Sequence, residues 1–415
     1  MTAGILPPPP AGRDHGRDPG ARILVINCGS SSLKFALLHG PQVIGQGIFE
    51  RLGLPDASAR WELEGEGFSA EHAGIDHAGA LAEAVRLLET RFGSPLPVDG
   101  VGHRVVHGGE YFNQSTLINH EVLSKIERCR DLAPLHNPAH ALGIRLARRL
   151  LPDVPHVAVF DTAFHQTMPP HAWMYAIPFD VYRRYAVRRY GAHGTSHSYV
   201  ASAAADMLGI PLERLQLVTA HLGNGCSACA VREGRSVDTT MGLTPLEGLM
   251  MGTRSGDIDP NVMQYLRRVS GMPFEETTRM LNHRSGLLGV SGVSNDMRTV
   301  LKAAEEGYQR ASLAIDLFCY RLAKGILGMA AGLDRIDAIV FTGGIGENNA
   351  AVRAKTLGFL GVLRPELDAG RNARHGRGSN GRITQDGSPV ACLVVPTNEE
   401  RSEEHTSELQ SPCNL

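Results

Sequence analysis

Asn27-Cys28-Gly29-Ser30-Ser31-Ser32-Leu33-Lys34 is the stretch of sequence that decides the fold. Apolar runs precede it at 22–26 and follow it at 35–38, which predicts a strand, a small-residue turn and a second strand. Glycine and serine let backbone N–H groups approach a phosphate closely, and Lys34 adds a positive charge. Because no helix follows, this is neither a GxxxxGK(S/T) loop nor a GxGxxG turn. On its own, the stretch fits a phosphate-binding hairpin and an ordinary polar turn equally well.

The same plan recurs midway along the chain. Residues 216–222 predict a strand, 223–225 (Gly-Asn-Gly) a turn, and 226–232 a second strand. Each hairpin is followed by a third strand-like segment, at 42–49 in the first copy and at 235–241 in the second. This loose duplication predicts two similar α/β domains that face one cleft and contribute one phosphate-binding hairpin each.

The remaining elements follow from hydrophobic periodicity and turn residues. Helices are predicted at 121–132, 139–151, 196–208 (with Thr195 as N-cap) and within 296–332, and strands at 154–160, 337–341 and 392–395, with loop at 370–388. We expect the last strand to return to the first domain. Asp161 directly follows the strand at 154–160, at the edge of a sheet where α/β active sites gather.

Composition bounds the class of protein. The chain has 415 residues, of which 42% are hydrophobic and 20% charged, as is typical of a globular protein with two domains. The formal net charge of -2 gives no overall attraction to nucleic acid or anionic membrane, and no apolar run reaches the ~18–20 residues of a membrane helix. The basic pairs at 183–184 and 188–189 are expected on a solvated face. Residues 1–20, rich in Pro, Gly and Arg, predict a disordered extension.

Cysteine and histidine spacings argue against disulfide and metal chemistry. Seven scattered cysteines indicate a reducing cytoplasm rather than a disulfide framework. Cys226 and Cys229 have CxxC spacing but no partner pair, and their strand-like setting predicts small packing residues. His193 and His197 lie four apart without the glutamate of an HExxH motif, among small residues that do not favour a metal-binding helix.

Five further motifs join the first hairpin in a fixed order. They are GHRVVHGG at 102–109, APLHNP at 133–138, FDTAFH at 160–165, YGAHGTSH at 190–197, and the run 241–260 containing GTRSGD at 252–257. Together, from about residue 22 to residue 400, these motifs resemble the acetate kinase family, within the actin, sugar-kinase and Hsp70 group of folds. The resemblance implies an α/β fold of two duplicated ribonuclease H-like (actin-like ATPase) domains around a central cleft. The implied domains are 21–162 plus 389–400, and 163–388.

The resemblance implies a Mg²⁺-dependent acetate kinase activity: direct, reversible, in-line phosphoryl transfer from ATP to acetate, giving acetyl phosphate and ADP. A carboxylate that attacks ATP must approach another anion, and arginines solve this by bidentate pairing with both. Arg104 and Arg254, one in each half, are the candidates. By the resemblance, His193 and Arg254 stabilise the charge of the transition state, and Asp161 is an essential acid. Because acetate is already ionised near neutral pH, we expect Asp161 to orient an arginine or a magnesium-bound water.

The resemblance also implies residue sets for substrate, nucleotide and metal. Acetate would meet Arg104, Val106, Leu135, His136 and Pro245, with Ala192 small enough to admit propionate. The nucleotide would meet Lys34, His221, Leu222, Gly223, Asn224, Gly225, Asp296, Met297, Arg298, Gly344, Ile345, Gly346, Glu347 and Asn348. Asn27 and Glu399 would supply or support the contacts of Mg²⁺, with Mn²⁺ as an alternative.

Other interpretations stay open. One is a propionate or butyrate kinase of the same family, and another is a non-catalytic nucleotide-binding protein of the actin type. Against the second stand Arg104, His193 and Arg254, which nucleotide binding alone does not require. The resemblance implies a cytoplasmic homodimer that binds acetate and ATP, and neither nucleic acid nor membrane. Residues 401–411 match the translation of a common sequencing adapter, so we expect 401–415 to be an artefact tail. A third alternative is an ATP-binding but inactive fragment, if a native terminal helix is needed to complete the first domain.

Overall fold

Two β-sheets organise the chain, one in each half. A computed structural model describes residues 20–134 and 136–397. The predicted extension before Gly20, Leu135, Glu399 and the predicted tail at 401–415 lie outside the described residues. The first sheet takes its strands from between residues 22 and 160, and the second from between residues 216 and 394. The expected α/β fold with two sheet-based halves is confirmed.

The first sheet combines a parallel centre with antiparallel flanks. Its strands are β1 (Arg22–Cys28), β2 (Ser32–His39), β3 (Gln42–Glu50), β4 (Ser58–Leu63), β5 (Glu66–Glu71), β6 (Gly100–Val105), β7 (Thr116–Leu117) and β8 (His156–Phe160). Their spatial order is β5-β4-β3-β2-β1-β6-β8-β7, and β1, β6 and β8 are parallel. The helices of this half are α1 (His77–Phe92), α2 (His120–Arg128) and α3 (Asn137–Leu150).

Alternation along β1 separates a core face from a face that is available to a site. Leu24 and Ile26 pack in an apolar core with Leu81 of α1. Because successive side chains of a strand point to opposite faces, Asn27 lies on the other face. Asn27 is in register with Lys34 of β2, so these two side chains share that face.

Two short helices, α4 (Pro170–Trp173) and α5 (Phe179–Tyr185), lie between the halves. Arg188 follows them and is only 5% exposed, with its guanidinium carbon 4.1 Å from the centroid of the Trp173 ring. Arg189 donates to the carbonyl oxygens of Thr239, Thr240 and Met241. The expectation that the pair at 188–189 lies on a solvated face is therefore wrong, because both guanidiniums are used inside the fold.

The second sheet repeats the hairpin-plus-strand plan. Its strands are β9 (Gln216–Leu222), β10 (Cys226–Arg232), β11 (Arg235–Thr239), β12 (Ala338–Thr342) and β13 (Ala391–Val394), in the order β11-β10-β9-β12-β13. The helices of this half are α6 (Gly194–Leu208), α7 (Asn261–Ser270), α8 (Phe274–His283), α9 (Gly286–Ser291), α10 (Met297–Glu305), α11 (Gln309–Met329), α12 (Gly343–Asn348), α13 (Ala350–Gly358) and α14 (Ala369–Ala373).

Helices cover both faces of this second sheet. Phe318 of α11 packs in one core with Ala220 of β9, and Val200 of α6 packs in another with Leu217 of the same strand. Every residue of β9 is consequently buried, as expected for a strand covered on both faces. Cys226 and Cys229 of β10 are fully buried free thiols, in agreement with their interpretation as packing residues. No helix among the described residues is long and apolar enough to cross a membrane.

Besides the loop expected at 370–388, which begins with the short helix α14, two sequence-based expectations about elements are wrong. The sequence places 389–400 in the first domain, yet β13 pairs in parallel with β12 of the second sheet, with Ala391 opposite Ala338. Four buried apolar residues carry no pattern that identifies a pairing partner, so the sequence does not specify this choice. The second concerns α6, which begins at Gly194 and not after Thr195, and the residue in the cap position is His193, with φ of 57°.

Candidate active site

Asp161 and Arg104 form a bidentate ion pair where two parallel strands end. Arg104 Nε donates to Asp161 Oδ1 at 3.1 Å, and Nη2 donates to Oδ2 at 2.9 Å. Asp161 is 2% exposed, and its backbone N–H donates to the carbonyl of Val105 on β6. Both carboxylate oxygens face the guanidinium, which favours the orientation of Arg104 over the orientation of a magnesium-bound water as the task of Asp161.

Arg254 approaches from the second half and is held differently. Its Nη1 donates to the carbonyl oxygen of Pro245 at 2.6 Å. A Cβ atom built on Gly225 would lie 2.6 Å from Nη2 of Arg254, so only glycine lets the guanidinium lie this close to the second hairpin. Burial lowers the pKa of Arg254 from its ordinary value. Pro245, expected to line a substrate pocket, contributes through its carbonyl to the placement of Arg254.

His193 lies between the two halves because of an unusual backbone approach. The N–H of Gly194 donates to the carbonyl of Asp161 at 2.8 Å, and a Cβ on Gly194 would lie 2.4 Å from that oxygen. The His193 ring stacks on His221, with centroids 4.2 Å apart, and its Nδ1 lies 2.8 Å from Ser227 Oγ. Burial lowers the pKa of His193 well below its ordinary value, and the neighbouring histidines and the charges of Arg104 and Arg254 lower it further.

The charges of Arg104 and Arg254 also affect the pKa of His136. Burial lowers the pKa of His136, the charges of Arg104 and Arg254 lower it further, and the carboxylate of Asp161 opposes them. The geometry places both guanidiniums near His193: the N–H of the next residue, Gly194, donates to the carbonyl of Asp161, whose carboxylate holds Arg104, and a Cβ on Gly225 would lie 2.6 Å from Arg254 Nη2 and 3.5 Å from His193 Cε1. The structure thus brings together five residues that the sequence placed in a site, and they come from both halves of the chain.

The two predicted phosphate hairpins both form tight turns. In the first, the N–H of Gly29 donates to the carbonyl of Ser32 at 2.8 Å, and Lys34 is exposed on β2. In the second, the N–H of Gly223 donates to the carbonyl of Gly225 at 2.9 Å. The side-chain oxygen of Asn224 accepts from Asn295 at 3.0 Å. The second hairpin is therefore connected to the segment before α10, where further nucleotide contacts are expected.

Several expected nucleotide residues have structural tasks. Met297 is 2% exposed and packs in the core, and Leu222 is fully buried, so neither side chain is exposed to a ligand. Asp296 accepts from the N–H of Arg298 at the start of α10, and the Arg298 guanidinium lowers the pKa of Asp296 to about 2. The Glu347 carboxylate accepts from the backbone N–H groups of Gly343 and Thr397, each at 2.9 Å.

The turn Gly344-Ile345-Gly346-Glu347-Asn348 forms α12 and is held from behind. Arg353, which is fully buried, donates from Nη1 to the carbonyls of Gly346 and Glu347 at 2.7 and 2.9 Å. Asn348 donates from its side chain to the carbonyl of Gly344 at 3.1 Å. These contacts fix the backbone of the turn, so it is a preformed surface next to the end of β12.

The expected substrate pocket is only partly described. Val106 and Pro245 are half-buried, and Leu135 lies outside the described residues. Ala192 is 6% exposed and packs in the core of the second half, and its carbonyl lies 2.9 Å from His165 Nε2. A larger residue at position 192 would therefore disturb the core beside His193 as well as any pocket.

A divalent cation would find few protein oxygens here. No group of three or more His, Cys, Asp or Glu residues within 20–134 and 136–397 is arranged to hold a metal. Asn27 offers an amide oxygen on the site face of β1, and the oxygens of Asp161 already accept from Arg104. Mg²⁺ commonly binds through substrate phosphates and waters with one or two protein groups, and this donor set fits that mode.

Sequence reasoning missed the residues behind His193. Ser227 lies within hydrogen-bond distance of both His193 and His197. His197 in turn lies within hydrogen-bond distance of Thr219. The four-residue spacing of His193 and His197 indicates that both lie on one helix face. Ser227 lies between Cys226 and Cys229, which the sequence analysis interprets as packing residues. The link between them depends on β10 lying beside α6, which the sequence alone does not give.

The sequence of this chain is similar to those of known proteins over most of its length. The model of the Acetokinase family matches residues 22–402. The chain is 55% identical over 379 residues to the acetate kinase of Deinococcus radiodurans, covering 91% of this chain and 95% of that protein. It is 53% identical over 381 residues to the acetate kinase of Ectopseudomonas mendocina, covering 91% of this chain and 96% of that protein.

Two solved structures of similar proteins share the fold of this chain. A propionate kinase from Francisella tularensis is 42% identical with a TM-score of 0.88, covering 94% of this chain and 100% of that chain. The acetate kinase of Porphyromonas gingivalis is 41% identical with a TM-score of 0.88, covering 94% of this chain and 99% of that chain.

Proposed function

This chain belongs to the acetokinase family, and we propose that it transfers the γ-phosphoryl group of ATP to acetate, reversibly, giving acetyl phosphate and ADP. The observation that carries the proposal is the approach of Arg104, paired with Asp161, and Arg254 from opposite halves to the region of His193. Two anions that must react need positive charge between them, and two guanidiniums from two halves supply it.

The chemistry assigns a different task to each group. Arg104, oriented by Asp161, would bind the carboxylate of acetate and point one oxygen at the γ-phosphorus. Charge spreads over the equatorial oxygens of the phosphoryl group in a loose transition state. Arg254 and His193 would meet that charge with N–H donors in a partly dehydrated cleft, where such donors act most strongly. Lys34 and the two hairpins would hold the remaining phosphates, and closure of the halves would exclude water that could hydrolyse ATP.

We propose that Mg²⁺ is the divalent cation, with Mn²⁺ as a substitute. Asn27 and Glu399 would hold it together with phosphate oxygens and water. Bound to the nucleotide, the cation neutralises phosphate charge and fixes the conformation of the phosphate chain.

Propionate is a second candidate substrate. The 42% identical structure named a propionate kinase favours it, and a pocket wall separates substrates that differ by one methylene by only ~10–200-fold. Competition between acetate and propionate at equal concentration distinguishes them, because the preferred acid will dominate the acyl phosphate formed.

We also propose a cytoplasmic homodimer. The described cysteines are free and buried, which fits a reducing compartment. Leu313, Tyr320 and Val362 are 58%, 50% and 78% exposed on the second half, which supports an interface there. Light scattering coupled to size exclusion tests the dimer, since a monomeric mass at micromolar concentration would exclude a stable one.

The activity is tested by trapping acyl phosphate as hydroxamate after incubating the full chain with MgATP and acetate. We expect hydroxamate and ADP in equal amounts, and loss of both in Arg254→Ala. ADP without hydroxamate would indicate an ATPase, and nucleotide binding without either product would favour the non-catalytic alternative.

A further inference from the structure

Three buried polar side chains lead away from His193 into the second half. Nδ1 of His193 lies 2.8 Å from Ser227 Oγ, and that oxygen lies 2.8 Å from His197 Nε2. Nδ1 of His197 lies 2.7 Å from Thr219 Oγ1. Ser227, His197 and Thr219 are each 0% exposed, so bulk water does not compete for these contacts. We name His193, Ser227, His197 and Thr219 the His193 relay.

Two arrangements of the relay let the Ser227 hydroxyl donate to one of its two histidines; if it accepted from both, its own hydrogen would have no acceptor among the contacts of the described residues. A hydroxyl has one hydrogen to donate, and a neutral imidazole has one N–H and one acceptor nitrogen. In the outward arrangement, Thr219 donates to His197 Nδ1, His197 Nε2–H donates to Ser227, and Ser227 donates to Nδ1 of His193. The proton of His193 is then on Nε2. In the inward arrangement every donor is reversed, and His193 carries its proton on Nδ1.

The far end of the relay distinguishes the two arrangements. In the inward one, the Thr219 hydroxyl accepts from His197 and must donate elsewhere, and the carbonyl oxygen of Cys229 lies 3.5 Å away. That distance is beyond a normal O–H···O hydrogen bond, which spans roughly 2.5–3.0 Å. In the outward arrangement Thr219 donates across the 2.7 Å contact to His197 instead. The outward arrangement therefore uses the short contacts and does not depend on the long one.

The Cε1 edge of the His193 ring lies beside the second hairpin and Arg254. Its Cε1 atom lies 3.5 Å from the place where a Cβ on Gly225 would be, and Nη2 of Arg254 lies 2.6 Å from that same place. A ring that presents a lone pair there would repel phosphoryl oxygens, whereas Nε2–H would donate to them. Burial keeps the pKa of His193 low, so the donor must come from the neutral ring and depends on which nitrogen carries the proton.

We propose that Ser227, His197 and Thr219 are positioning residues that hold neutral His193 with its proton on Nε2, directed at the phosphoryl group in transfer. This proposal rests on the proposed function for its consequence in catalysis, but the position of the proton is a property of the free protein. The position of the proton and the activity can therefore be measured separately.

The test measures both quantities in the full chain and in two variants. The nitrogen shifts of His193 in protein labelled with ¹⁵N-histidine, assigned by difference with His193→Gln, report which nitrogen carries the proton. We expect Nε2–H in the wild type. Ser227→Ala removes the contact to Nδ1, and Thr219→Val removes the terminal hydroxyl while preserving its shape. In both variants the Nδ1–H form will become populated, and kcat will fall about 10-fold, less than the ~10²–10³ expected for losing such a donor outright, at nearly constant KM for acetate and ATP.

Ser236→Ala is the matched control. Ser236 is equally buried and its Oγ lies 2.8 Å from His165 Nδ1, so the variant loses a serine–histidine contact of the same length outside the relay. We expect it to leave the His193 shifts unchanged. If Ser227→Ala does not fold, Thr219→Val alone tests the proposal.

Each outcome decides something different. Nδ1–H in the wild-type protein would overturn the proposal whatever the activity. Unchanged nitrogen shifts of His193 and unchanged kcat in Thr219→Val would also overturn it. The proposed relay transmits the loss of the Thr219 hydroxyl to His193, whereas a serine with a merely structural role would not. Absence of acyl phosphate formation in the wild type, with Nε2–H present, would leave the relay intact and contradict the proposed function instead.

Discussion

Arg104 and Arg254 bring the same guanidinium group to the site from opposite halves, but their neighbours differ. Arg104 is held by both oxygens of the buried Asp161 carboxylate. Arg254 is held by the carbonyl of Pro245, and no carboxylate within 20–134 and 136–397 forms an ion pair with it. A carboxylate cancels most of the charge that it orients, whereas a carbonyl orients a guanidinium and leaves its full charge available. The two arginines are therefore not equivalent, although the sequence presents them as a pair.

The difference matches the two anions of the proposed reaction. Acetate carries one charge and needs accurate placement, which a partly neutralised and bidentately held Arg104 provides. The transferring phosphoryl group carries more charge, which grows on its equatorial oxygens, and Arg254 meets it with an uncancelled charge. Arg104 should thus act mainly on the binding of acetate, and Arg254 mainly on the rate of transfer.

The largest effect is expected for Arg254→Ala. Removing the uncancelled charge should lower kcat by about 10³-fold or more, as for other arginines that stabilise phosphoryl transfer, with a smaller change in KM for acetate. Steady-state kinetics with hydroxamate detection measure both. Arg268→Ala, on the exposed side of α7, serves as the matched arginine control. A rise in KM alone would show that Arg254 binds substrate and does not act in the transition state.

Asp161→Asn should have an intermediate effect. The amide retains the shape but cancels no charge and accepts one hydrogen bond where the carboxylate accepts two, so Arg104 loses its orientation. Truncating one partner of a buried ion pair costs about 2–5 kcal/mol, so we expect kcat/KM for acetate to fall by at least roughly 30-fold, mainly through KM.

Asp334→Asn is the control for that variant, because Asp334 pairs with Arg232 while 74% of its side chain is exposed. A loss in kcat as large as that of Arg254→Ala, at constant KM, would contradict the orienting role. It would indicate that Asp161 takes part directly in the chemistry.

Gly225→Ala should have a smaller effect on rate and little effect on stability. The added Cβ would lie 2.6 Å from Nη2 of Arg254, the end of a flexible side chain, so the guanidinium moves and the backbone does not. We expect kcat to fall about 10-fold, a fraction of the loss expected for removing the charge itself. Gly358→Ala, where a Cβ meets nothing within 4 Å, is the control. Unchanged kcat in Gly225→Ala would mean that the position of Arg254 is not critical.

The sequence predicted the part of this site that depends on local pattern. The hairpins at Gly29 and Gly223, and Asp161 at the end of a strand, follow from small-residue turns and apolar runs. The partners of Arg104 and Arg254 did not follow, because each contact joins segments that only the folded chain brings together. Pro245 acts through a backbone carbonyl, and every residue has one, so no side-chain pattern could have identified it.

The same limit applied to the fold. The short strand Ala391–Val394 is apolar throughout, and its pairing with β12 depends on the route of the preceding loop. The cap position of α6 is occupied by His193 in a left-handed conformation, where Thr195 satisfied the usual sequence preference. Tertiary contacts, here the approach of Gly194 to the carbonyl of Asp161, determined the outcome.

The smallest expected effect is on the pH dependence of folding stability, through the buried His140 near Arg104. Burial first, and then the charge of Arg104, lower the pKa of His140 to about 3. In the unfolded chain a histidine titrates near ~6.5, so the unfolded state binds the extra proton below that pH. The stability that neutral His140 contributes is therefore complete above about pH 6.5 and is lost as the pH falls toward 3. The carboxylate of Asp161 opposes the effect of Arg104 and raises the pKa of His140.

Replacing this histidine tests how completely Asp161 cancels Arg104. In His140→Leu, the decline in unfolding free energy between pH 6.5 and pH 5 should be shallower than in the wild type by up to about 1.4 kcal/mol per pH unit, the slope of one proton. Urea unfolding at several pH values measures it. Arg104→Met should move the lower end of this decline, near pH 3, to higher pH, because one cause that lowers the pKa of His140 is removed while burial, the larger cause, remains. If Arg104→Met leaves the lower end of the decline unchanged, the guanidinium has no net effect on His140, and the contrast with Arg254 becomes sharper.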